Sequence, residues 1–454
     1  MTLVEQLAQF VVQADYEMLS QEARSELKAR VLDSLGCAIG ALEGEPIVYI
    51  RQHTEEFGGA PLCTMVGGGK TAPDRAAFYN GALVRYLDYN DSFLAKGETC
   101  HPSDNLGAVM AASEYADRSG RDLLTALAVA YQVQCRLSQV APVRHKGFDH
   151  TTQGTYAAGA GVAKALGLDA ERTANAIALA ATPNNALRVT RTGRLSHWKG
   201  LAYPHTGFVA THAAFLAKRG ITGPLEVFEG NKGFMDAIAG HFEIDWSKED
   251  LEMVRKTIIK KYNAEIHSQS AIEGLLELQA LHGFRAEDVE RIDLETFQVA
   301  FMIIGGGEEG DKHIVQTKEE ADHSLPYMLA VALLDGDVGP PQYDPERIVR
   351  DDVQSLLRRV HVRPVDEFSA RFPDEMPARL RVTLKDGRVL QIEKRDYEGF
   401  HTRPMAWERV VQKFERLAGP YTDASLRREI AACVENLENV AVRELTGLLA
   451  RVGK

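Results

Sequence analysis

Ala378-Arg-Leu-Arg-Val-Thr-Leu-Lys-Asp-Gly-Arg-Val-Leu-Gln-Ile392 alternates apolar and polar residues on both sides of Asp386-Gly387. A period of two describes a strand with one buried face, and Asp-Gly between two such arms favours a tight two-residue turn. The stretch predicts an antiparallel hairpin. Arg291-Ile-Asp-Leu-Glu-Thr-Phe-Gln-Val-Ala-Phe301 alternates in the same way, and Val360-His-Val-Arg-Pro364 offers a further strand, so a small antiparallel sheet is expected here. Outside this region the period changes. Leu27-Lys-Ala-Arg-Val-Leu-Asp-Ser-Leu-Gly-Cys-Ala-Ile39 has the three- and four-residue apolar spacing of a helix, as does most of the chain to about residue 255 and again after Pro404. Small residues crowd Thr155-Tyr-Ala-Ala-Gly-Ala-Gly-Val-Ala-Lys-Ala-Leu-Gly167 and Ala174-Asn-Ala-Ile-Ala-Leu-Ala-Ala181, which lets helix axes approach closely in a buried bundle. The fold class is mainly α with an α+β insert.

A chain of 454 residues exceeds one ordinary core and suggests two domains. Hydrophobic residues at 45% and charged residues at 26% are the proportions of a soluble globular protein. No apolar run reaches spanning length, and the first ten residues read as an amphipathic helix carrying Glu5 rather than as a basic leader. Cys37, Cys63, Cys100, Cys135 and Cys433 are odd in number and widely spaced, which argues against a disulfide framework or a metal cluster and for a reducing cytoplasm. A net charge of −12 opposes non-specific binding to nucleic acid or to an anionic membrane. It does not oppose a small anionic substrate, because exposed charges beyond about 8 Å are largely screened at physiological salt. Two glycine-rich stretches are set aside. A phosphate-binding loop ending at Gly69-Lys70-Thr71 needs glycine where Thr64 stands, and Gly159-Ala-Gly161 lies in a helical pattern with no strand before it.

Asp88-Tyr-Asn-Asp-Ser-Phe-Leu-Ala-Lys-Gly-Glu-Thr-Cys-His-Pro-Ser-Asp-Asn105 packs acids, a hydroxyl and a histidine into one turn-rich stretch before an apolar helix. Capping explains one or two of these polar groups and leaves His101 over. If helical, Asp88 and Ser92 share a face. Pro102 restrains His101 away from α geometry, with Ser103 or Asp104 as the cap. A second cluster, His145-Lys-Gly-Phe-Asp-His150-Thr-Thr-Gln-Gly154, places His150 at a helix start, where N–H groups bind carboxylates and a histidine suits proton transfer. A third runs through Arg188, Arg191, Arg194, His197 and Lys199, a basic cluster such as a polycarboxylate needs; the bland alternative is a solvated loop. Lys260-Lys-Tyr-Asn-Ala-Glu-Ile-His267-Ser-Gln269 and Asp322-His-Ser-Leu-Pro-Tyr327 complete the set. Tyr327 reads equally as a core ring whose hydroxyl finds a partner or as a phenol donor at a cleft edge.

In this order and across nearly the whole chain, the Asp88–Asn105 segment, the Lys199-Gly block, Tyr262-Asn-Ala-Glu-Ile-His-Ser-Gln and Asp322-His-Ser-Leu-Pro-Tyr resemble the signatures of the MmgE/PrpD family, whose members include 2-methylcitrate dehydratase and cis-aconitate decarboxylase. The resemblance implies a discontinuous all-helical core, 1–258 with 402–454, carrying an α+β lid at 259–401, and a homodimer. It assigns the active-site acid to Asp88, its nearby hydroxyl to Ser92, the two histidines to His101 and His150, the lysine to Lys199, the basic junction residue to Lys260 or Lys261 and the tyrosine to Tyr327. Arg191 joins the substrate-binding set from the basic cluster. The implied cleft lies between core and lid. Two departures stand out: extra residues separate Ser92 from His101, and Thr-Thr-Gln follows His150 where some members have Pro-Pro-Ser.

The activity implied is dehydration of a β-hydroxy tricarboxylate without cofactor or metal, 2-methylcitrate to 2-methyl-cis-aconitate in propionate catabolism. Such a reaction needs a base for a weakly acidic proton beside a carboxylate, an acid for the departing hydroxide, and cations for the charge that builds. His101 and His150 would divide the proton work, with Asp88 orienting; which histidine is the base stays open. The alternatives are a cis-aconitate decarboxylase, which would use the same cation pocket and a protonating acid, an epimerase of an imino diacid, which also needs proton transfer beside a carboxylate, and a non-catalytic member that has lost activity. An aconitase-type iron–sulfur hydratase would need clustered cysteines that these spacings do not provide.

Overall fold

The computed structural model describes residues 1–193, 195–307 and 310–453. It is mainly helical with small sheets and divides into two compact units. The first comprises Met1–Arg191, His197–Ile258 and Ala406–Lys454; the second comprises Thr192–Ser196 and Ile259–Met405.

In the first unit, local chemistry fixes where helices begin. The Ser20 hydroxyl accepts from the Ala23 N–H at the start of Gln21–Gly40, satisfying one of the donors that a helix start leaves unpaired. Pro73 opens Pro73–Tyr86 at a position where its missing N–H has no intrahelical partner to lose. Small residues then set the packing. A Cβ on Gly107, in Leu106–Tyr115, would meet the Gly81 nitrogen at 2.5 Å, and one on Gly161, in Thr151–Leu166, would meet the Ala130 and Val109 side chains at 2.9 Å. These helices pack with Gly120–Val140 and Trp198–Lys218 into one bundle. Trp407–Ala418 lies on Gln21–Gly40, where a Cβ on Gly36 would stand 3.1 Å from the Phe414 backbone. The C-terminal segment therefore completes the first unit's core.

The second unit is built on a four-stranded sheet in the order Val360–Pro364, Val289–Thr296, Ala378–Leu384, Val389–Lys394. It differs from expectation in three ways. Val360–Pro364 pairs parallel to Val289–Thr296, because the chain between them runs through helices that carry it back across, as parallel pairing requires. The alternation after Phe297 is overridden by helix Gln298–Ile304, which buries Ala300, Ile303 and Ile304 at three- and four-residue spacing. The hairpin loop has three residues: the Leu384 N–H donates to the Arg388 carbonyl and the Gly387 N–H to the Leu384 carbonyl, each at 2.9 Å. Gly387 supplies the positive φ of +90° that this loop needs at its third position. Helices Gln269–His282 and Leu325–Asp335 contribute to the apolar core of this unit together with Ile292, Leu294, Leu380 and Val382 of the sheet.

Candidate functional site

Helix Pro73–Tyr86 carries Arg85 in its last turn, and the chain then turns through Asp88 at φ +53°. Aspartate tolerates this left-handed conformation better than most residues. Asp88 and Ser92 consequently do not share a helical face, contrary to the reading from spacing. The turn instead folds Asp88 back on its own helix. Its Oδ1 accepts from Arg85 Nη1 at 2.5 Å, and its Oδ2 lies 3.5 Å from Lys199 Nζ. Lys199 stands in the first turn of Trp198–Lys218 and is 5% exposed.

The extra residues between Ser92 and His101 form a hairpin, Phe93–Ala95 with Glu98–Cys100, in which Phe93 faces Cys100. That register sets Ser92 opposite His101, with Ser92 Oγ 3.0 Å from His101 Nδ1. Nδ1 also lies 2.8 Å from the Asp91 carbonyl. A carbonyl only accepts, so the proton is assigned to Nδ1 and the lone pair to Nε2. The Asp91 carboxylate braces this arrangement by accepting from the Ser103 N–H at 3.0 Å and the Tyr131 hydroxyl at 2.7 Å.

Neither Ser103 nor Asp104 caps Leu106–Tyr115, which starts without a side-chain cap behind a short turn over Pro102–Asn105. Both are claimed by Asn90, whose Nδ2 donates to Ser103 Oγ and to Asp104 Oδ1 at 2.8 Å. Asp104 Oδ2 lies 3.6 Å from Arg85 Nε. Burial pushes the Asp104 carboxyl up to about 7, against the pull of Arg85 and Asn90. A carboxyl so placed carries a proton for part of the time near neutrality.

His150 precedes helix Thr151–Leu166 and is buried. Its Nε2 is 3.1 Å from Arg191 Nη2 and 3.5 Å from Asp149 Oδ1. The two neighbours pull in opposite directions. Asp149 favours the imidazolium, but burial and then the arginine charges oppose it, and His150 falls to about 3 and stays neutral. Asp149, although buried, is held far below the usual carboxylate range by Arg191, whose Nε donates to Oδ2 at 2.7 Å. The rings of His101 and His150 lie 5.5 Å apart, and Tyr203 is 5.9 Å from His150.

The first unit thus gathers Asp88, Ser92, His101, His150, Arg191 and Lys199 in its buried interior. Arg194 lies outside the described residues. Arg85, Asn90, Asp104 and Asp149 belong to the same polar centre, to which the sequence assigned none of them. Arg85 looks there like a cation at a helix C-terminus and Asp104 like a cap.

In the second unit Lys261 is bound to Glu273 at 2.8 Å and Glu398 at 3.1 Å. The buried Lys260 is the better ligand candidate. Tyr327 is fully buried in the core beside Tyr343, and its hydroxyl donates to the Gln342 carbonyl; this is the core reading of that residue, not the donor reading. His267, quoted in the Lys260–Gln269 stretch without a role, has its Nδ1 2.7 Å from Glu265 Oε1, and its buried Nε2 has no hydrogen-bond partner among the described residues. Among the described residues no group of three cysteine ligands forms, so an iron–sulfur cluster has no cradle there.

Comparisons with known proteins agree in one direction. Family models for the MmgE/PrpD N-terminal domain and the MmgE/PrpD C-terminal domain match residues 5–247 and 262–439. A 2-methylcitrate dehydratase of Cupriavidus necator is 29% identical, with 96% of this chain and 94% of that protein aligned. The mitochondrial 2-methylcitrate dehydratase of Yarrowia lipolytica is 27% identical over 99% of this chain and 90% of its own length. An alkylcitrate dehydratase of a fungal species is also 27% identical, over 97% and 92%.

Proposed function

The chain belongs to the MmgE/PrpD family, and from that premise we propose that it is a hydro-lyase acting on a β-hydroxy tricarboxylate, 2-methylcitrate before others, without a metal. The observation that carries this reading is the placement of His101. A hairpin pins it against Ser92 with its Nδ1 proton on a backbone carbonyl, which makes Nε2 the basic nitrogen, and its ring lies 5.5 Å from that of His150. A proton beside a carboxylate is weakly acidic, and its removal places negative charge on the carboxylate oxygens. His101 Nε2 takes that proton. Lys199 holds a carboxylate, and Asp88 keeps Lys199 and Arg85 in position. Asp104, close to half-protonated at neutral pH, is a proton reserve beside Arg85 for the departing hydroxide.

The substrate is a small carboxylate, and no helix among the described residues is long and apolar enough to cross a membrane. A homodimer in the cytoplasm completes the proposal, the first from the family resemblance and the second from five cysteines that form no disulfide. The test is turnover of 2-methylcitrate, citrate and cis-aconitate by purified protein, following unsaturated acid and carbon dioxide in parallel. Unsaturated acid from 2-methylcitrate, undiminished by a chelator, is expected. Carbon dioxide from cis-aconitate with no dehydration would replace this reading with a decarboxylase.

A further inference from the structure

His150 is buried, flanked by charges, and has one ring nitrogen that no group among the described residues satisfies. Arg191 grips Asp149 through Nε at 2.7 Å and presents Nη2 to His150 Nε2 at 3.1 Å. A guanidinium has donors only, so Nε2 must accept and the proton must sit on Nδ1. Asp149 is itself fixed, its Oδ1 accepting from the Thr151 N–H at 3.1 Å and its Oδ2 from the Thr190 hydroxyl at 2.9 Å. That fixes the guanidinium, which fixes the ring. What remains is a buried Nδ1–H with no acceptor among the described residues, and leaving such a donor unsatisfied costs about 1–3 kcal/mol. The ring lies 5.5 Å from that of His101, the residue to which the proton step is assigned.

We propose that His150 is a neutral hydrogen-bond donor to a carboxylate or hydroxyl oxygen of the substrate, and that Arg191 and Asp149 are positioning residues that hold its tautomer. This rests on the hydro-lyase reading for the identity of the ligand, but not for the state of the ring. It divides the two histidines: His101 moves the proton and His150 stabilises charge without changing protonation state. The charged and titratable groups facing the His150 ring are Asp149, Arg191, Arg85 and Arg188, with His101 and Tyr203 as ring neighbours. Burial weighs most and disfavours protonation, Asp149 favours it, and Arg191, Arg85 and Arg188 oppose it.

The test uses the full chain labelled with ¹⁵N-histidine, with the His150 signals identified among 14 histidines by their loss in His150→Gln. Wild-type protein should show Nδ1 protonated, Nε2 bare, and no titration of this ring between about pH 5 and 8, where an ordinary histidine titrates. Arg191→Gln leaves the ring with Asp149 and should bring its titration into that range, whereas Arg191→Lys, which still donates and still carries charge, should restore the wild-type pattern. Addition of citrate should move the Nδ1 signal. A proton on Nε2, or titration of wild-type His150 near neutrality, overturns the proposal. Citrate signals at His101 without a change at His150 overturn the donor role, and neither outcome depends on whether the protein turns over a tricarboxylate.

Discussion

The two units treat their buried acids in opposite ways. In the first, burial wins: Asp33, Asp91, Glu98 and Asp104 are all raised, Asp104 to about 7. In the second, close cations outweigh burial, and Glu265 beside His267 and Glu273 between Lys261 and Lys394 are held down to about 2. A carboxyl raised toward neutrality can hand over a proton under working conditions, and one held at about 2 is a fixed anion. Asp104 of the first unit can exchange a proton near neutrality, whereas Glu265 and Glu273 of the second are fixed anions. Asp149 is the exception in the first unit, kept ionised by Arg191, and it serves to position a ring.

The largest expected effect on stability comes from that exception. Asp149→Ala leaves Arg191 buried without its anion, which should cost about 3–5 kcal/mol in unfolding free energy. Glu273→Ala should cost less, because Lys261 and Arg403 reach water and can be solvated there. Equal losses in denaturant titrations of the two variants would erase the contrast in burial.

Binding comes next. Lys199→Ala removes one charge-assisted contact to the substrate, worth about 1.5–3 kcal/mol, and should raise KM roughly 10- to 100-fold. An unchanged KM would remove Lys199 from the carboxylate pocket.

The acids themselves predict opposite pH dependences. The folded-state value of Asp104, about 7, lies above its ordinary 3.8, so the folded state binds the extra proton and stability from this group falls as pH rises between them. Glu265 and Glu273, at about 2 against 4.5, contribute stability that is present above 4.5 and lost as pH falls toward 2. Asp104→Asn should flatten the upper slope by on the order of a few kcal/mol and leave the lower one intact. Calorimetric Tm across pH measures both, and an unaltered upper slope would show that Asp104 is not raised.

The smallest effect is expected at Tyr327. Tyr327→Phe should cost about 1 kcal/mol for the bond to the Gln342 carbonyl and leave kcat unchanged. A large fall in kcat would return Tyr327 to the catalytic set.

Much of this was legible in the sequence, and the missing parts share one cause. Helices showed through their period and their small residues, since Gly107 on Gly81 and Gly161 on Ala130 require what composition already displayed. His101 showed because capping could not absorb it. The face shared by Asp88 and Ser92 was misread because a single left-handed residue, Asp88, breaks the spacing on which the reading depends. Arg85, Asp104 and Asp149 did not show because each has a local role by position, and only tertiary burial gives it another. Val360–Pro364 showed as a strand, but its parallel pairing did not, because its partner is chosen by the path of the intervening helices, which alternation does not encode.

The central claim is that proton transfer is carried by His101 in the helical unit. It is tested most directly by kcat for 2-methylcitrate in wild-type protein and His101→Ala, compared at matched fold by circular dichroism. A general acid or base contributes about 10²–10⁴-fold to rate, so kcat should fall by that order with helical content and Tm nearly unchanged. A folded His101→Ala protein that forms the unsaturated acid at close to the wild-type kcat would contradict the account.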